Sequence, residues 1–237
     1  MDCCDLLNHF GLEVPRRAVH KPMLLFSVLA LSSMHQAVSN AQSQHEASFY
    51  HGECLRVLID ALSDDEATYD DTLLASVVLM RVYEEIERST DDYHHLRGIG
   101  RLLDAIPTFA QSGGLAEAAC WQSLRQDIFV SLLNAQAPTF DLANYDQSSA
   151  FRFRDEGACA NVIVLLFAKV LRLTYSASET QLADTWASLE ADIERWNERR
   201  YRLFQPIFEE DVDVENGKPF PVSCLINPPQ GSHPPYK

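Results

Sequence analysis

The sequence predicts an all-α protein, in which about seven antiparallel-paired helices form a multi-helix array and an irregular C-terminal tail follows. Two observations support this fold class. Up to about residue 200, apolar residues recur at intervals of three and four along most of the chain, which is the spacing of amphipathic helices. Glycine is scarce, with nine residues among 237, whereas folds of many short strands need frequent turn residues. The hydrophobic fraction of 46% is large enough for a substantial core.

The first predicted elements are a short opening segment, residues 2–13, and two helices that follow it. We expect the opening segment to form one helix that ends near Gly11. Pro22 can occupy the first turn of the next helix, because the amide hydrogen that proline lacks has no helical partner there. The nearly all-apolar run 22–39 predicts a helix that others cover on most sides, and the run 41–62 predicts an amphipathic helix.

Two further helices are predicted between residues 70 and 106. The run 70–87 begins with two aspartates, and either of them can cap a helix by accepting hydrogen bonds from its first amides. The run 93–106 contains Gly98 and Gly100, each of which lowers helix stability by about 1 kcal/mol relative to alanine. We therefore expect a neighbouring helix to approach this one closely at the two glycines.

The run 118–138 predicts the helix around which we expect the others to pack. Apolar side chains recur along one face: Trp121, Leu124, Ile128, Leu132 and Ala135, with Phe129 and Leu133 beside them. The polar side chains expected on the other face are Gln122, Arg125, Gln126 and Asn134. Pro138 should end the helix, because proline lacks an amide hydrogen and clashes with the preceding turn. So wide an apolar face has to be covered by other helices, so Trp121 should be buried.

Two more helices complete the predicted array. Residues 140–156 are polar and irregular, which is typical of a variable loop. The apolar run 158–175 predicts another buried helix, and the run 181–200 predicts an amphipathic one. We expect one helical domain over residues 1–205, with its core at about 20–200. Residues 206–237 are acidic and then proline-rich, and they predict an extended or disordered tail.

Composition argues against several kinds of function. The net charge of −15 disfavours direct binding to nucleic acid or to an anionic membrane, since both attract basic proteins. The six cysteines show no C-x-x-C pair and no zinc-ligand spacing, so we expect a reduced intracellular protein without a structural metal. The sequence has no G-x-S-x-G, G-x-G-x-x-G or G-x-x-x-x-G-K pattern. We accordingly predict no catalytic residues, no metal ligands, no DNA-binding residues and no cofactor.

Two patterns, taken in order, indicate a family. The first, H-L-x-G-x-x-x-L-L, is carried by His95, Leu96, Gly98, Leu102 and Leu103. The second, W-x-x-L-R-Q-D-I followed by a proline, is carried by Trp121, Leu124, Arg125, Gln126, Asp127 and Ile128. Together they resemble the middle region of fungal Zn2Cys6 (zinc binuclear cluster) transcription factors, specifically the ARCA-like subgroup. The resemblance covers about residues 20–225.

The resemblance implies a regulatory domain of a fungal-specific transcription factor, located in the nucleus, with the cytoplasm as the alternative. Such a domain would modulate transcription through proteins of the transcription machinery, through a full-length regulator, or through a small apolar effector between its helices. It also implies structural or regulatory roles for His95, Leu96, Gly98, Trp121, Leu124, Arg125 and Asp127. It favours a partly buried Arg125 that is paired with an acid. The cysteine-rich zinc cluster of the family is missing from the sequence, so we expect a truncated regulator or a domain that works alone.

Two alternatives remain open at this point. The same helical fold could serve as an isomerase or cyclase of a fungal secondary-metabolite pathway, although we expect a protein that is not an enzyme. The chain could also be a non-functional truncated fragment. A closed apolar pocket with a converging acid and base would favour the enzyme, whereas an exposed helical groove would favour the regulator.

Overall fold

A computed structural model of the chain is all-α, as the sequence predicts. The backbone is described for residues 2, 5–41, 43–63, 70–87, 94–152, 155–176, 179–199, 206–214, 217 and 221–224, and side chains for the same residues except 94–96, 179–184 and 222–224. The α-helices within these residues are α1 (Val14–Ala18), α2 (Pro22–Ser39), α3 (His45–Leu62), α4 (Asp71–Glu87), α5 (His94–Ala105), α6 (Gly114–Asn134), α7 (Glu156–Ser176) and α8 (Glu179–Arg199).

Shorter elements connect these helices. A π-helical turn over His9–Glu13 leads into α1, and 3-10 turns cover Pro107–Gln111, Leu142–Tyr145 and Ser149–Phe151. Two short strands, β1 (Phe208–Glu210) and β2 (Val222–Cys224), pair antiparallel with Phe208 opposite Cys224. Gly11 lies inside the π-helical turn, so the prediction that the opening segment ends near Gly11 is wrong. The helical backbone continues through Glu13 into α1, and Asp2 accepts hydrogen bonds from the amides of Phe10 and Gly11 in the first turn.

Helix α4 lies at the centre of the fold beside α6, the helix around which the sequence predicts that the others pack, and α6 contacts α4, α5 and α7. Residues 72–81 of α4 are all buried, and α4 packs against α2, α5 and α6. Asp70 caps it, because Oδ1 of Asp70 accepts a hydrogen bond of 2.8 Å from the amide of Leu73. Helices α2 and α3 pack against each other on one side of α4. Within the described residues, α2 and α7 are long and apolar enough to cross a bilayer by length and composition alone, a property that buried core helices share.

Helix α6 ends earlier than predicted, and proline is not the cause. Its last residue is Asn134, and Ala135 adopts a left-handed backbone with φ 49°. The amide of Ala135 donates to the carbonyl of Leu132, which is the hydrogen bonding of a left-handed helix cap. The prediction that Pro138 stops the helix is therefore wrong.

The buried face of α6 also differs from the predicted stripe at its C-terminal end. Trp121, Leu124 and Ile128 are buried as predicted. The other predicted stripe residues, Phe129, Leu132, Leu133 and Ala135, are exposed, so the stripe is wrong there. Gln126, expected on the solvent side, is only 3% exposed.

Small polar residues on the inner face of α6 explain this difference. Ser123 is fully buried, and its hydroxyl donates to the carbonyl of Ala119 at 2.7 Å, so its burial leaves no unpaired donor. Ser131 is also fully buried. Apolar spacing alone therefore does not identify the side of α6 that its neighbours cover.

The predicted close approach of a helix at the α5 glycines is wrong. A Cβ added to Gly98 would meet nothing within 4 Å. A Cβ added to Gly100 would lie 3.4 Å from the ring of Phe140, which belongs to the segment after α6 and not to a helix. That segment is packed more tightly than a variable loop, because Phe140, Leu142 and Tyr145 are buried in the main core.

Candidate functional site

A cavity of about 430 Å³ lies where the opening segment meets the N-terminal ends of α6 and α7. Three groups of residues form its walls. The opening segment contributes Asp5, Leu6, Leu7, His9 and Phe10; α6 and the residue before it contribute Gly113, Gly114, Glu117, Ala118, Trp121 and Arg125; the third wall is formed by Ser149, Ala150, Asp155, Gly157, Ala158 and Asn161. The volume falls within the range of small-molecule pockets, about 300–1,000 Å³.

Glu117 fixes the α6 side of this cavity. It is 4% exposed, and its Oε2 accepts a hydrogen bond of 2.8 Å from the amide of Gly113, where the helix begins. Its Oε1 accepts from the hydroxyl of Ser148 at 2.5 Å and from the amide of Ser149 at 2.9 Å. Glu117 therefore ties the first turn of α6 to the 3-10 turn that precedes α7.

Trp121 forms the floor of the cavity and is buried, with 3% of its surface exposed. Its indole Nε1 donates to the hydroxyl of Ser148 at 3.3 Å. Its ring lies 5.1 Å from the ring of Tyr145, whose hydroxyl donates to the carbonyl of Cys120 at 3.0 Å. The indole is thus packed and hydrogen-bonded at once, as a buried tryptophan requires.

Arg125 is half-buried at the edge of the same cavity. Its Nη1 donates to the carbonyl of Trp121 at 2.8 Å, and its Nη2 donates to Oδ1 of Asn161 at 2.6 Å. Among the residues that the structure describes, no carboxylate oxygen lies within 4 Å of this guanidinium. The expectation of a paired acid is therefore wrong within that part of the chain, since an amide and a carbonyl take the acid's place.

Asp5 and His9 form a local pair on the opening segment. Oδ2 of Asp5 lies 2.8 Å from Nδ1 of His9 and also accepts from the His9 amide at 2.8 Å. Oδ1 of Asp5 accepts from the amide of Leu7. The carboxylate therefore organises the backbone of its own turn, which is the usual role of an aspartate at such a position.

Leu124 and Asp127 have structural positions away from the cavity. Leu124 is fully buried in the main core. Asp127 is 1% exposed and accepts hydrogen bonds from the amide and hydroxyl of Thr139, both at 2.8 Å, and from the amide of Phe140 at 3.1 Å. Burial raises the pKa of Asp127, although these three hydrogen bonds and the charge of Arg172 act in the opposite direction. Asp127 thus anchors the segment that returns from α6.

Among the described side chains of the predicted signature, Gly98 does not line the cavity. Gly98 is half-buried on α5, with open space where a side chain would lie. The side chains of His95 and Leu96 fall outside the described residues. Of the residues in the sequence patterns, Trp121 and Arg125 therefore line the cavity. Leu124 lies in the main core, and Asp127 anchors the segment after α6.

Sequence reasoning missed Glu117, Ser148 and Asn161. A signal existed for Glu117, since an acid in the first turn of a helix commonly accepts hydrogen bonds from its free amides. Asn161 is a polar residue within an otherwise apolar run, which could have been recognised as a polar contact of the core. Ser148 caps its own turn by accepting from the amide of Ala150, which gives no sign of its contacts with Glu117 and Trp121, 31 and 27 residues earlier in the chain.

The described part of the chain contains no group of three or more histidine, cysteine, aspartate or glutamate side chains placed to hold a metal ion. Cys54 and Cys120 are fully buried. Burial raises the pKa of the Cys54 thiol to about 12 and raises the pKa of the Cys120 thiol further. Both thiols therefore remain protonated at neutral pH and act as small core side chains.

The fold and this site define an all-α domain with a small-molecule-sized cavity at the junction of three elements. The family model of the fungal specific transcription factor domain matches residues 7–213, so the chain belongs to that family. The match covers both signature patterns, all eight helices described above and every residue of the cavity lining except Asp5 and Leu6, and it confirms the resemblance to fungal transcription factors. No curated protein and no solved structure matches the chain.

Proposed function

We propose that this domain regulates transcription by binding a small effector in the cavity and passing the change to a protein partner, without touching DNA itself. Membership of the fungal specific transcription factor domain family supports the regulatory role. The net charge of −15 favours protein partners over nucleic acid, because a DNA-binding surface needs lysine and arginine to displace counterions. The proposed location is the nucleus.

The proposal rests on one observation, which is that three separate segments of the chain form the cavity walls. The opening segment, α6 and the start of α7 are separate in sequence, and the cavity lies where the three meet. A ligand that contacts all three walls would stabilise their arrangement relative to any state in which one wall moves away. Such preferential binding is how a ligand shifts a conformational equilibrium. A partner that contacts the opening segment would sense the shift.

The alternative of an isomerase or cyclase needs an acid and a base that are free to act. The carboxylates of Asp5 and Glu117 instead accept hydrogen bonds from backbone amides of their own walls. Both groups therefore have a structural task, which supports the regulator over the enzyme.

A reporter experiment tests the proposal. The chain is fused to an unrelated DNA-binding domain in a fungal host, and transcription is compared with that of the DNA-binding domain alone. Ala118→Phe places a large side chain in the cavity, and Ala187→Phe, on the exposed face of α8, is the matched control. We expect the fusion to change reporter output. At equal protein level, Ala118→Phe should alter the size of this response, whereas Ala187→Phe should leave it as in the wild type.

Three results would contradict the proposal. The first is a fusion that leaves the reporter unchanged, and the second is an Ala118→Phe variant that behaves like Ala187→Phe. The third is a sequence-specific nanomolar complex between the purified chain and DNA in a gel-shift assay at moderate salt.

A further inference from the structure

We infer that the cavity takes a neutral, mainly apolar small molecule that places one oxygen acceptor against the guanidinium of Arg125. The inference rests on the proposed function, because this molecule would be the effector. It goes beyond family membership by assigning a ligand class and by naming the residue that recognises the polar group.

The apolar residues of the cavity walls indicate that most of the ligand is apolar. Leu6, Leu7 and Phe10 face the cavity from the opening segment, and Ala118 and Trp121 face it from α6. Leu6 and Leu7 are 39% and 63% exposed, so an apolar ligand would remove both from water. Burial of apolar surface is favourable at about 25 cal/mol per Å², and aromatic walls such as these are common in small-molecule sites.

The charge of the ligand is constrained by three carboxylates on the cavity lining. Both oxygens of Asp5 and both oxygens of Glu117 accept hydrogen bonds, and Oδ1 of Asp155 accepts from the amide of Ala158 at 2.8 Å. These groups repel an anionic ligand. The four hydrogen bonds that Glu117 accepts and the three contacts of Asp5 occupy most of the acceptor sites of these two carboxylates. The two groups therefore offer little to a cation, because a buried cation needs direct hydrogen bonds to offset its lost hydration. A neutral ligand avoids both costs.

The recognition of one acceptor follows from the hydrogen bonds of Arg125. A guanidinium carries five N–H donors, and the contacts described here use two of them, toward the Trp121 carbonyl and Asn161. These two bonds hold the guanidinium in place at the cavity edge. The donors that remain can bind a carbonyl or hydroxyl oxygen of the ligand, and such a bond favours ligands that carry one.

Three probes of the same shape test the inference: the methyl ketone, the carboxylate and the aminomethyl derivatives of naphthalene. Binding to the purified full chain is followed by saturation-transfer NMR, and dissociation constants are obtained by titration. We expect the ketone to bind more tightly than either charged probe. A carboxylate or aminomethyl probe that binds more tightly than the ketone would overturn the inference, and so would the absence of binding by all three.

Two matched pairs of variants assign the binding to the cavity. Arg125→Gln removes the guanidinium, and Arg101→Gln changes an exposed arginine on α5 that lies outside the cavity. We expect Arg125→Gln to weaken the ketone by about tenfold, which corresponds to one hydrogen bond, and Arg101→Gln to leave it unchanged. Ala118→Phe should abolish ketone binding and Ala187→Phe should not. Equal effects within either pair would overturn the inference.

A folding control and the reporter result keep the two proposals separable. Thermal unfolding of each variant is followed by circular dichroism. If Arg125→Gln does not fold, Arg125→Lys and Ala118→Phe test whether the ketone binds in the cavity. Ketone binding that follows these expectations, with no reporter response, would reject the proposed function alone. A reporter response that depends on Ala118, without preference for the neutral probe, would reject the ligand class alone.

Discussion

Helices α6 and α8 have the same length of 21 residues, but they are held in the fold in different ways. Helix α6 packs against α4, α5 and α7, and buried carboxylates at Glu117 and Asp127 tie it to the segment that follows it. Helix α8 packs mainly against α7, and Leu189 is the one buried residue among its described side chains. The comparison shows that an apolar stripe places a helix on a neighbour, whereas buried hydrogen bonds fix its position.

The tryptophans of the two helices differ in burial in the same way as the helices themselves. Trp121 on α6 is 3% exposed, and Trp186 on α8 is 44% exposed. Trp196 on α8 is intermediate, and its indole donates to the carbonyl of Cys159 at 2.9 Å. A second cavity of about 900 Å³ lies between α7 and α8 and contacts Trp196. Packing is therefore looser around α8 than around α6.

The largest expected effect is that of Trp121→Ala. Removal of a buried core aromatic costs about 3–5 kcal/mol, which is a large part of the roughly 5–15 kcal/mol that stabilises a typical domain. Urea unfolding followed by circular dichroism measures the change. Trp186→Ala is the matched control and should cost less than about 2 kcal/mol, because 44% of the Trp186 surface is in water already. A near-neutral Trp121→Ala would show that α6 is not the better-anchored helix.

The next effect concerns the carboxylate of Asp127. Asp127→Ala leaves the amides of Thr139 and Phe140 without their acceptor in a buried place, and should cost on the order of 3 kcal/mol. Asp127→Asn keeps an oxygen in position and should cost about 1 kcal/mol or less at neutral pH. Equal losses in the two variants would mean that the charge, and not the hydrogen bonding, holds the segment after α6.

A pH series sharpens this second prediction. Burial raises the pKa of Asp127 in the folded chain, so the folded chain holds the proton more tightly than the unfolded chain does. The stability contributed by this carboxyl is then fully present below its unfolded pKa of about 3.9 and is lost as the pH rises through the folded pKa. Relative to Asp127→Asn, the wild type should lose stability as the pH rises from about 4 toward neutrality. The opposite slope would indicate a folded pKa below the ordinary value.

These two sites also show what the sequence could predict. The burial of Trp121 follows from helical spacing, and so do the fold class and the approximate ends of the main helices. The role of Asp127 depends on Thr139 and Phe140, and that of Glu117 depends on Ser148, whose positions are fixed only by the folded chain. Periodicity reports which side of a helix is apolar. It does not show how far the neighbouring helices extend along that side. For this reason the spacing predicts that Leu133 is covered, whereas the residue is 63% exposed.

Trp196→Ala should have a smaller effect than either change in α6. The indole is partly exposed, so its removal loses one hydrogen bond and part of its apolar contact, about 1–2 kcal/mol.

Amide hydrogen exchange should also show lower protection in α8 than in α6, because helices with few buried contacts open more readily. Protection in α8 equal to that in α6 would contradict the looser packing.

The smallest expected effect lies on the outer edge of α6 itself. Arg125→Ala removes two hydrogen bonds to neutral oxygens, and water can replace the guanidinium because the site is half-exposed. The loss should be about 1 kcal/mol, since a hydrogen bond at such a place contributes little net stability. A buried acid left without its partner would cost roughly 3–5 kcal/mol instead. Urea unfolding of Arg125→Ala beside Asp127→Ala distinguishes the two cases on one helix. A loss from Arg125→Ala as large as that from Asp127→Ala would indicate that a carboxylate pairs with Arg125 after all, and fewer donors of Arg125 would then remain for a ligand in the cavity.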